Sequence, residues 1–307
     1  MATILITGGT GLIGLGLAKM LKNQGHRLHL LSRNNKPVSP YDAIFSWDVK
    51  TGRIDENAFD GIEVIVHLAG AGIADQRWTD ERKLEILSSR VDSAKLIHET
   101  LKRRNQKINV FVSGSAIGWY GAHSDSLIHN ETEPAATDFM GETCRKWEHS
   151  ADLFQDVAER VVKIRTGVVL AKTSGALPKM AQPVKWFVGS PLGSGKQQIP
   201  WIHIDDICAI FSNAVSDSRY YGPINATATE NCTNKEFTKV LAKVLHRPMI
   251  PIHVPSFVIK ALFGEMAVVV LEGSRVSNHR IKQMGFSFQY PTLETAIRNI
   301  LAGGKIQ

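Results

Sequence analysis

At 307 residues, with 43% apolar and 21% charged side chains, the chain has the composition of an ordinary globular protein. It is long enough for one large domain with a smaller lobe. A formal net charge of +7 suits an anionic ligand, but the cations are scattered and no basic run is interleaved with aromatics, which argues against a nucleic-acid partner.

Cys144, Cys208 and Cys232 are odd in number and form no C-x-x-C pair, so they read as reduced thiols of a cytoplasmic protein. No Cys/His cluster has ligand spacing, and no metal is expected. The N-terminus enters an apolar strand, Thr3 to Thr7, without a basic n-region or a small-residue cleavage site, so no signal peptide is expected. A helix follows over Leu12 to Gln24, then strands at Arg27 to Leu31, Ala43 to Trp47 and Val64 to Leu68. The charged run Thr79 to Arg104 has helical period, Val110 to Ser113 is a strand, Phe139 to Asp156 a helix and Val161 to Arg165 a strand. This alternation requires parallel strands joined by right-handed helical crossovers, hence a doubly wound α/β sheet. Past Gly175 the pattern loosens around "VGSPLGSGKQQIP". The expected division is a sheet domain over 1–170, to which later segments return, and a smaller substrate-covering lobe over 171–307. The apolar run "VPSFVIKALFGEMAVVVLEG" is broken by Lys260, Gly264 and Glu265; it reads as core helices, and no membrane partner is expected.

"ITGGTGLIG", Ile6 to Gly14, carries Gly8, Gly11 and Gly14 directly after the apolar Ile4-Leu5-Ile6. Between a strand and a helix, the first glycine permits a tight turn and the second lets the backbone approach a pyrophosphate. The third lets the helix pack on the strand, and the helix N-terminus supplies free N–H groups. The turn therefore reads as a dinucleotide site. An NAD site normally places an acid at the end of the second strand for the ribose hydroxyls. Here no Asp or Glu precedes Asp42, and the strand ends in "LLSRN". Ser32 and Arg33 stand where the adenosine ribose would lie, and a hydroxyl beside a planar guanidinium fork suits a 2′-phosphate, so NADP is the expected cofactor. "GSPLGSGKQ" is no P-loop, because Ser190 occupies its first glycine position and Gln197 follows Lys196.

These residues resemble an extended short-chain dehydrogenase/reductase. "TGGTGLIG" is similar to that superfamily's T-G-x-x-G-x-x-G, "VIVHLAG" to its fourth strand, "VFVSGSA" to its fifth and "WIHIDDI" to a late F-I-H-V-D-D-V motif. "HLAGAGIADQRWTDERKLEILSSR", "SGSAIGWYG", "IRTGVVLA", "PLGSGKQQIPWIHIDD" and the C-terminal "GEMAVVVLEGSRVSNHRIKQMGF" resemble its atypical, epimerase-like YfcH-like subgroup over nearly the whole chain. The resemblance implies a Rossmann-type domain with an NADP site, a lobe covering a small-molecule substrate, and an oxidoreductase or epimerase activity on a sugar-nucleotide-like compound. Members often dimerise through a helix pair, so a homodimer is compatible with it. It places Leu68 and Ala69 on the adenosine side, Glu85 and Arg90 facing the cofactor, and Val168 at the nicotinamide end. The cofactor set is completed by Thr10, Leu12 and Ile13 of the glycine turn, and by Gly70 and Ser113.

One feature of the superfamily is missing. A lysine four residues after a tyrosine normally lowers the phenol's pKa for proton transfer. The residues four on from Tyr41, Tyr120, Tyr220, Tyr221 and Tyr290 are Phe45, Ser124, Ile224, Asn225 and Glu294. Ser115, at the end of the fifth strand, is the remaining catalytic candidate, as a hydrogen-bond donor to substrate. Tyr120, without a cationic neighbour in sequence, reads as a core or lid aromatic. His203 reads as packed and hydrogen-bonded, Asp205 and Asp206 as helix caps, and Cys144 as lacking a base. The alternative to an enzyme is a non-catalytic NADP-binding regulator or redox sensor.

Overall fold

The structure, a computed structural model, describes residues 1–34, 36–122 and 127–302. The last residues of the expected lobe, 303–307, and Ser124 lie outside the described residues. In chain order the strands are β1 (Thr3–Thr7), β2 (Arg27–Ser32), β3 (Ala43–Asp48), β4 (Arg53–Ile54), β5 (Val64–His67), β6 (Ile108–Ala116), β7 (Ile128–His129), β8 (Ala158–Thr166), β9 (Val168–Leu170), β10 (Trp201–His203), β11 (Gly222–Ala226) and β12 (Arg275–Val276). The helices are α1 (Leu12–Asn23), α2 (Asp80–Arg103), α3 (Phe139–Asp152), α4 (Ala176–Lys185), α5 (Ile204–Ser216), α6 (Asn234–Val244), α7 (Ser256–Phe263), α8 (Val268–Leu271), α9 (His279–Gln283) and α10 (Leu293–Ala302).

Eight strands form one sheet in the order β11-β8-β6-β5-β1-β2-β3-β4, parallel except for the β3–β4 pair. Side chains alternate between its faces, as the strand period of two requires. Ile4, Ile6, Val64, Val66, Val110 and Val112 bury one face against Leu17 and Leu21 of α1 and Ile207, Ile210 and Phe211 of α5. Leu5, Ile65 and Phe111 bury the other against Ala94, Ile97 and Leu101 of α2 and Ala151 of α3. The expected helix to Asp156 stops at Asp152, and a 3-10 turn over Leu153–Asp156 lays Phe154 on Phe111 with ring centroids 3.5 Å apart. Thr79, expected inside its helix, is instead the N-cap of α2 and accepts a hydrogen bond from the Arg82 N–H.

From β1 the chain runs to β2 and β3 on one side, then crosses to β5 on the other, so strand order reverses between β1 and β5. Ligands of such sheets bind outside the carboxyl ends of the strands at that reversal. A second core lies beyond it, where Leu177, Ala181, Trp201, Phe237, Leu241 and Ile297 pack α4, α6 and α10 around the short β9–β10 pair. At the α2 start, Arg77 donates to the Ala261 and Leu262 carbonyls and Lys83 pairs with Glu265, joining α7 and the turn behind it to the sheet domain.

One expected cap is corrected. His203 is the N-cap of α5, its Nδ1 accepting from the Asp205 N–H at 3.0 Å, while the Asp206 carboxylate accepts from the Gln289 and Tyr290 N–H groups. Asp205 and Asp206 lie in the first turn, where their charge still suits the helix dipole.

Candidate cofactor and active site

The glycine turn leaves β1 at the reversal point. Gly8 has φ +66°, and a Cβ there would stand 2.5 Å from the Leu68 carbonyl carbon and oxygen and 2.7 Å from the Ala69 nitrogen. The turn thus lies against the end of β5 as closely as backbone allows, a place only glycine fills. A Cβ on Gly14 would stand 2.5 Å from the Gly8 oxygen, so the third glycine is required by helix-on-turn packing. Gly11, the N-cap of α1, meets only the Gly8 oxygen at 3.2 Å; no side chain caps the helix and no acid lies in its first turn. That leaves exposed N–H groups and the positive end of a helix dipole facing outward beside Thr10, with Leu12 and Ile13 half-buried behind. Gly9 is a fourth constrained glycine that the spacing does not reveal: a Cβ would collide with the Tyr41 hydroxyl at 2.1 Å, and that hydroxyl donates to the Gly9 carbonyl.

The end of β5 is fixed from beneath by a buried neutral chain. Thr7 Oγ1 accepts from the Ala69 N–H at 3.2 Å and lies 2.8 Å from His67 Nδ1, while His67 Nε2 lies 3.2 Å from Ser93 Oγ. The Ser93 hydroxyl donates to the Ser89 carbonyl at 2.6 Å, so the network assigns the His67 proton to Nε2. Burial pushes the His67 pKa down to about 4.

Around this end the structure brings together Leu68, Ala69, Gly70 and Arg90. The Arg90 guanidinium carbon would stand 3.0 Å from a Cβ on Gly70, so the glycine makes room for the arginine. Arg90 stacks 4.8 Å from the Trp147 ring and donates to the Ile86 carbonyl; among the described residues it forms no ion pair with a carboxylate, and burial lowers its pKa. Glu85 is placed differently. It is exposed and accepts from Arg82 at 2.7 Å, on the rim of the group. At the end of β2, Ser32 Oγ accepts from the Asn34 N–H and Arg33 is exposed. Val168 begins β9, its N–H donating to the Pro200 carbonyl, and packs against the lobe core. The Ser113 hydroxyl is buried and donates to the Gly114 carbonyl, away from this group.

The chemistry-bearing end of β6 differs from the sequence expectation. Ser115 is buried and its single proton is donated to Glu148 at 2.7 Å, so it presents lone pairs and no free donor. Arg165, also buried, grips the same carboxylate through two hydrogen bonds of 2.8 and 3.0 Å and donates to the Tyr120 hydroxyl at 3.0 Å. Tyr120 therefore has the cationic neighbour that its local sequence lacks, and donates onward to Asn225 at 2.8 Å. Burial still dominates its titration and pushes its pKa up to about 12, so it stays a protonated core residue. Burial alone would lower the Arg165 pKa, but the paired Glu148 carboxylate reverses this. Burial and the Glu148 charge likewise push the Cys144 thiol up to about 12, leaving no thiolate. Glu148, Arg165 and Asn225 come from α3, β8 and β11, and no local spacing links them. Among the described residues no group of three or more His, Cys, Asp or Glu could hold a metal ion.

The NAD dependent epimerase/dehydratase family matches residues 4–144, and Domain of unknown function (DUF1731) matches residues 254–300. The chain is 32% identical over 303 residues to the Epimerase family protein YfhF of Bacillus subtilis (strain 168), covering 98% of this chain and 99% of that one. It is 36% identical over 308 residues to the Epimerase family protein SDR39U1 homolog, chloroplastic, of Arabidopsis thaliana, covering 97% and 86%. The crystal structure of human epimerase family protein SDR39U1 (isoform2) with NADPH superposes with a TM-score of 0.87 at 31% identity, covering 98% of this chain and 99% of that chain.

Proposed function

The chain belongs to the NAD dependent epimerase/dehydratase family, and from that premise we propose that it is an NADP-dependent oxidoreductase or epimerase acting on a small molecule, of the YfcH-like type. The observation that carries the cofactor reading is the glycine turn at the sheet reversal, opening onto Ser32 and Arg33 with no acid at the end of β2. Gly8, Gly11 and Gly14 with Thr10, Leu12 and Ile13 would hold the pyrophosphate, Ser32 and Arg33 the 2′-phosphate, and Leu68, Ala69 and Gly70 the adenosine side. Arg90 and Glu85 on α2, with Val168 on the lobe side, complete the cleft. NADPH in the structure of the human relative supports this choice.

When bound, the nicotinamide supplies or accepts the hydride, and the protein contributes orientation and electrostatics. Arg90, without an ion-pair partner among the described residues, offers positive charge at the β5 end and favours any negative charge that develops there. Ser115, its proton held by Glu148, orients a donor such as a substrate hydroxyl by accepting its hydrogen bond. Tyr120 and Cys144, both protonated at neutral pH, do not serve as bases. The committed Ser115 proton favours one second reading: an NADP-binding regulator or redox sensor without turnover.

Calorimetric titration with NADPH and NADH side by side tests the cofactor assignment. NADPH should bind tightly and selectively, and Arg33→Ala should weaken NADPH about tenfold or more while leaving NADH unchanged. Equal weakening of both would remove the 2′-phosphate role. Loss of NADPH absorbance across a substrate screen then separates the enzyme from the regulator.

A further inference from the structure

A surface of the lobe at the C-terminal end of α4 carries apolar side chains that stay exposed among the described residues. Helix α4 ends in a Schellman motif, the Val188 N–H donating to the Pro183 carbonyl and the Phe187 N–H to the Val184 carbonyl. The residue in the left-handed position of that motif is normally glycine, and here it is Phe187, at φ +64°. Helices α2 and α6 place Asn105 at φ +48° and His246 at φ +54° beyond their own ends, residue types that tolerate this region. Phe187 bears the strain at a side chain that is 54% exposed, with the Arg247 guanidinium stacked on it at 4.5 Å. Trp186 and Val188 beside it are 67% and 53% exposed. Strain held at an exposed side chain points to a role outside the fold.

Hydrogen bonds from Ile250 to Gly189, Val254 to Pro191 and Gly193 to Val254 tie the segment after α4 to the segment before α7. This brings Ile252, 76% exposed, and Phe257, 73% exposed, to the same surface. The charge there has one sign. No Asp or Glu occurs between Arg160 and Ile204 or between Phe237 and Gly264, whereas Lys185, Arg247 and Lys260 flank the exposed apolar residues. On the adjoining elements, Glu236 is engaged by Thr233, Glu294 by Lys243 and Arg298, and Glu265, just past α7, by Lys83. A second copy would bring like charges together. Pro248, Pro251 and Pro255 also remove backbone N–H groups that a protein partner would use and that lipid leaves unsatisfied.

We propose that this surface seats the protein on an anionic lipid bilayer. Trp186, Phe187, Ile252 and Phe257 enter the boundary between headgroups and acyl chains, and Lys185, Arg247 and Lys260 meet lipid phosphates. The contact is peripheral, since among the described residues no helix is long and apolar enough to cross a membrane. It goes beyond the sequence expectation of no membrane partner, which concerned a membrane-spanning segment.

Co-sedimentation of the full chain with vesicles tests this. The protein should bind phosphatidylcholine vesicles containing phosphatidylglycerol and bind pure phosphatidylcholine about tenfold more weakly or less. Phe187→Gly relieves the backbone strain, so it should raise the melting temperature while weakening vesicle binding about tenfold. A purely structural role would not move those two readouts in opposite directions. Arg247→Glu should cost about fivefold or more in vesicle affinity, with NADPH affinity unchanged. Absence of binding to anionic vesicles, or binding that Phe187→Gly and Arg247→Glu leave intact, overturns the proposal. So does a size-exclusion dimer that Phe187→Gly dissociates and vesicles do not, which would assign the surface to a second copy.

Discussion

The ends of β1 and β5 and the ends of β6 and β8 lie side by side on one sheet, yet they are built on opposite principles. The first end is kept open by missing atoms: Gly8, Gly11 and Gly14 bring backbone together and leave helix N–H groups facing out, over a neutral Thr7–His67–Ser93 chain. The second is filled by charge, with Arg165, Glu148, Ser115 and Tyr120 satisfying one another in the interior. A site for a large anionic ligand needs exposed donors and room. A buried ion pair needs every polar atom matched, and it is stable only while both partners remain. The contrast separates a region of open backbone donors from one whose polar groups are matched in the interior.

Arg165→Met should break the second region hardest. It strips the buried Glu148 of its two-pronged partner, leaving the Ser115 hydroxyl and the more distant Lys163 at 3.9 Å, at a cost of about 3 kcal/mol in denaturant unfolding. Replacing Glu148 by Leu in the same chain should restore much of that stability. A small effect of the single change would mean that water reaches the carboxylate.

In the first region the expected response is to pH. His67 is neutral in the fold with a pKa of about 4, against an ordinary value of 6.5, so between those values the unfolded chain binds the proton more readily. The His67 contribution should be flat above about pH 6.5 and fall as pH drops toward 4, by up to about 3 kcal/mol. His203, also pushed down to about 4 by burial, acts in the same direction, so His67→Gln should roughly halve the slope without abolishing it. Thermal melts across that range measure both.

Gly8→Ala places a methyl against the Leu68 carbonyl in a left-handed backbone. It should displace the turn and weaken NADPH binding about a hundredfold in calorimetry; an unchanged affinity would dissociate the turn from the cofactor. The smallest effect sharpens the boundary between the two ends. Ser115→Ala should cost about 1–2 kcal/mol by removing a hydrogen bond to the Glu148 carboxylate, with NADPH affinity unchanged. If NADPH binding fell as well, the two ends would act as one site.

The glycine turn, the acid-free second strand and the alternation of strands and helices were legible in the sequence because each is local. A φ requirement, a strand period and an absent carboxylate act within a few residues: Gly8 takes the left-handed φ of +66° that a tight turn requires, and Ser32 ends β2. The ion pair was not legible. Glu148 and Arg165 are 17 residues apart in sequence and Tyr120 lies 45 before Arg165, so only sheet pairing of β6 with β8 and packing of α3 bring them into contact. Pairing of β10 with β9 carries the strand through His203, so α5 starts at Ile204 and His203, not the aspartates after it, is its cap. The packing of α3 also turns Ser115 from an expected donor into a buried acceptor. Local backbone geometry is written residue by residue, whereas the partner of a buried charge is chosen by whichever distant side chain the fold delivers to it.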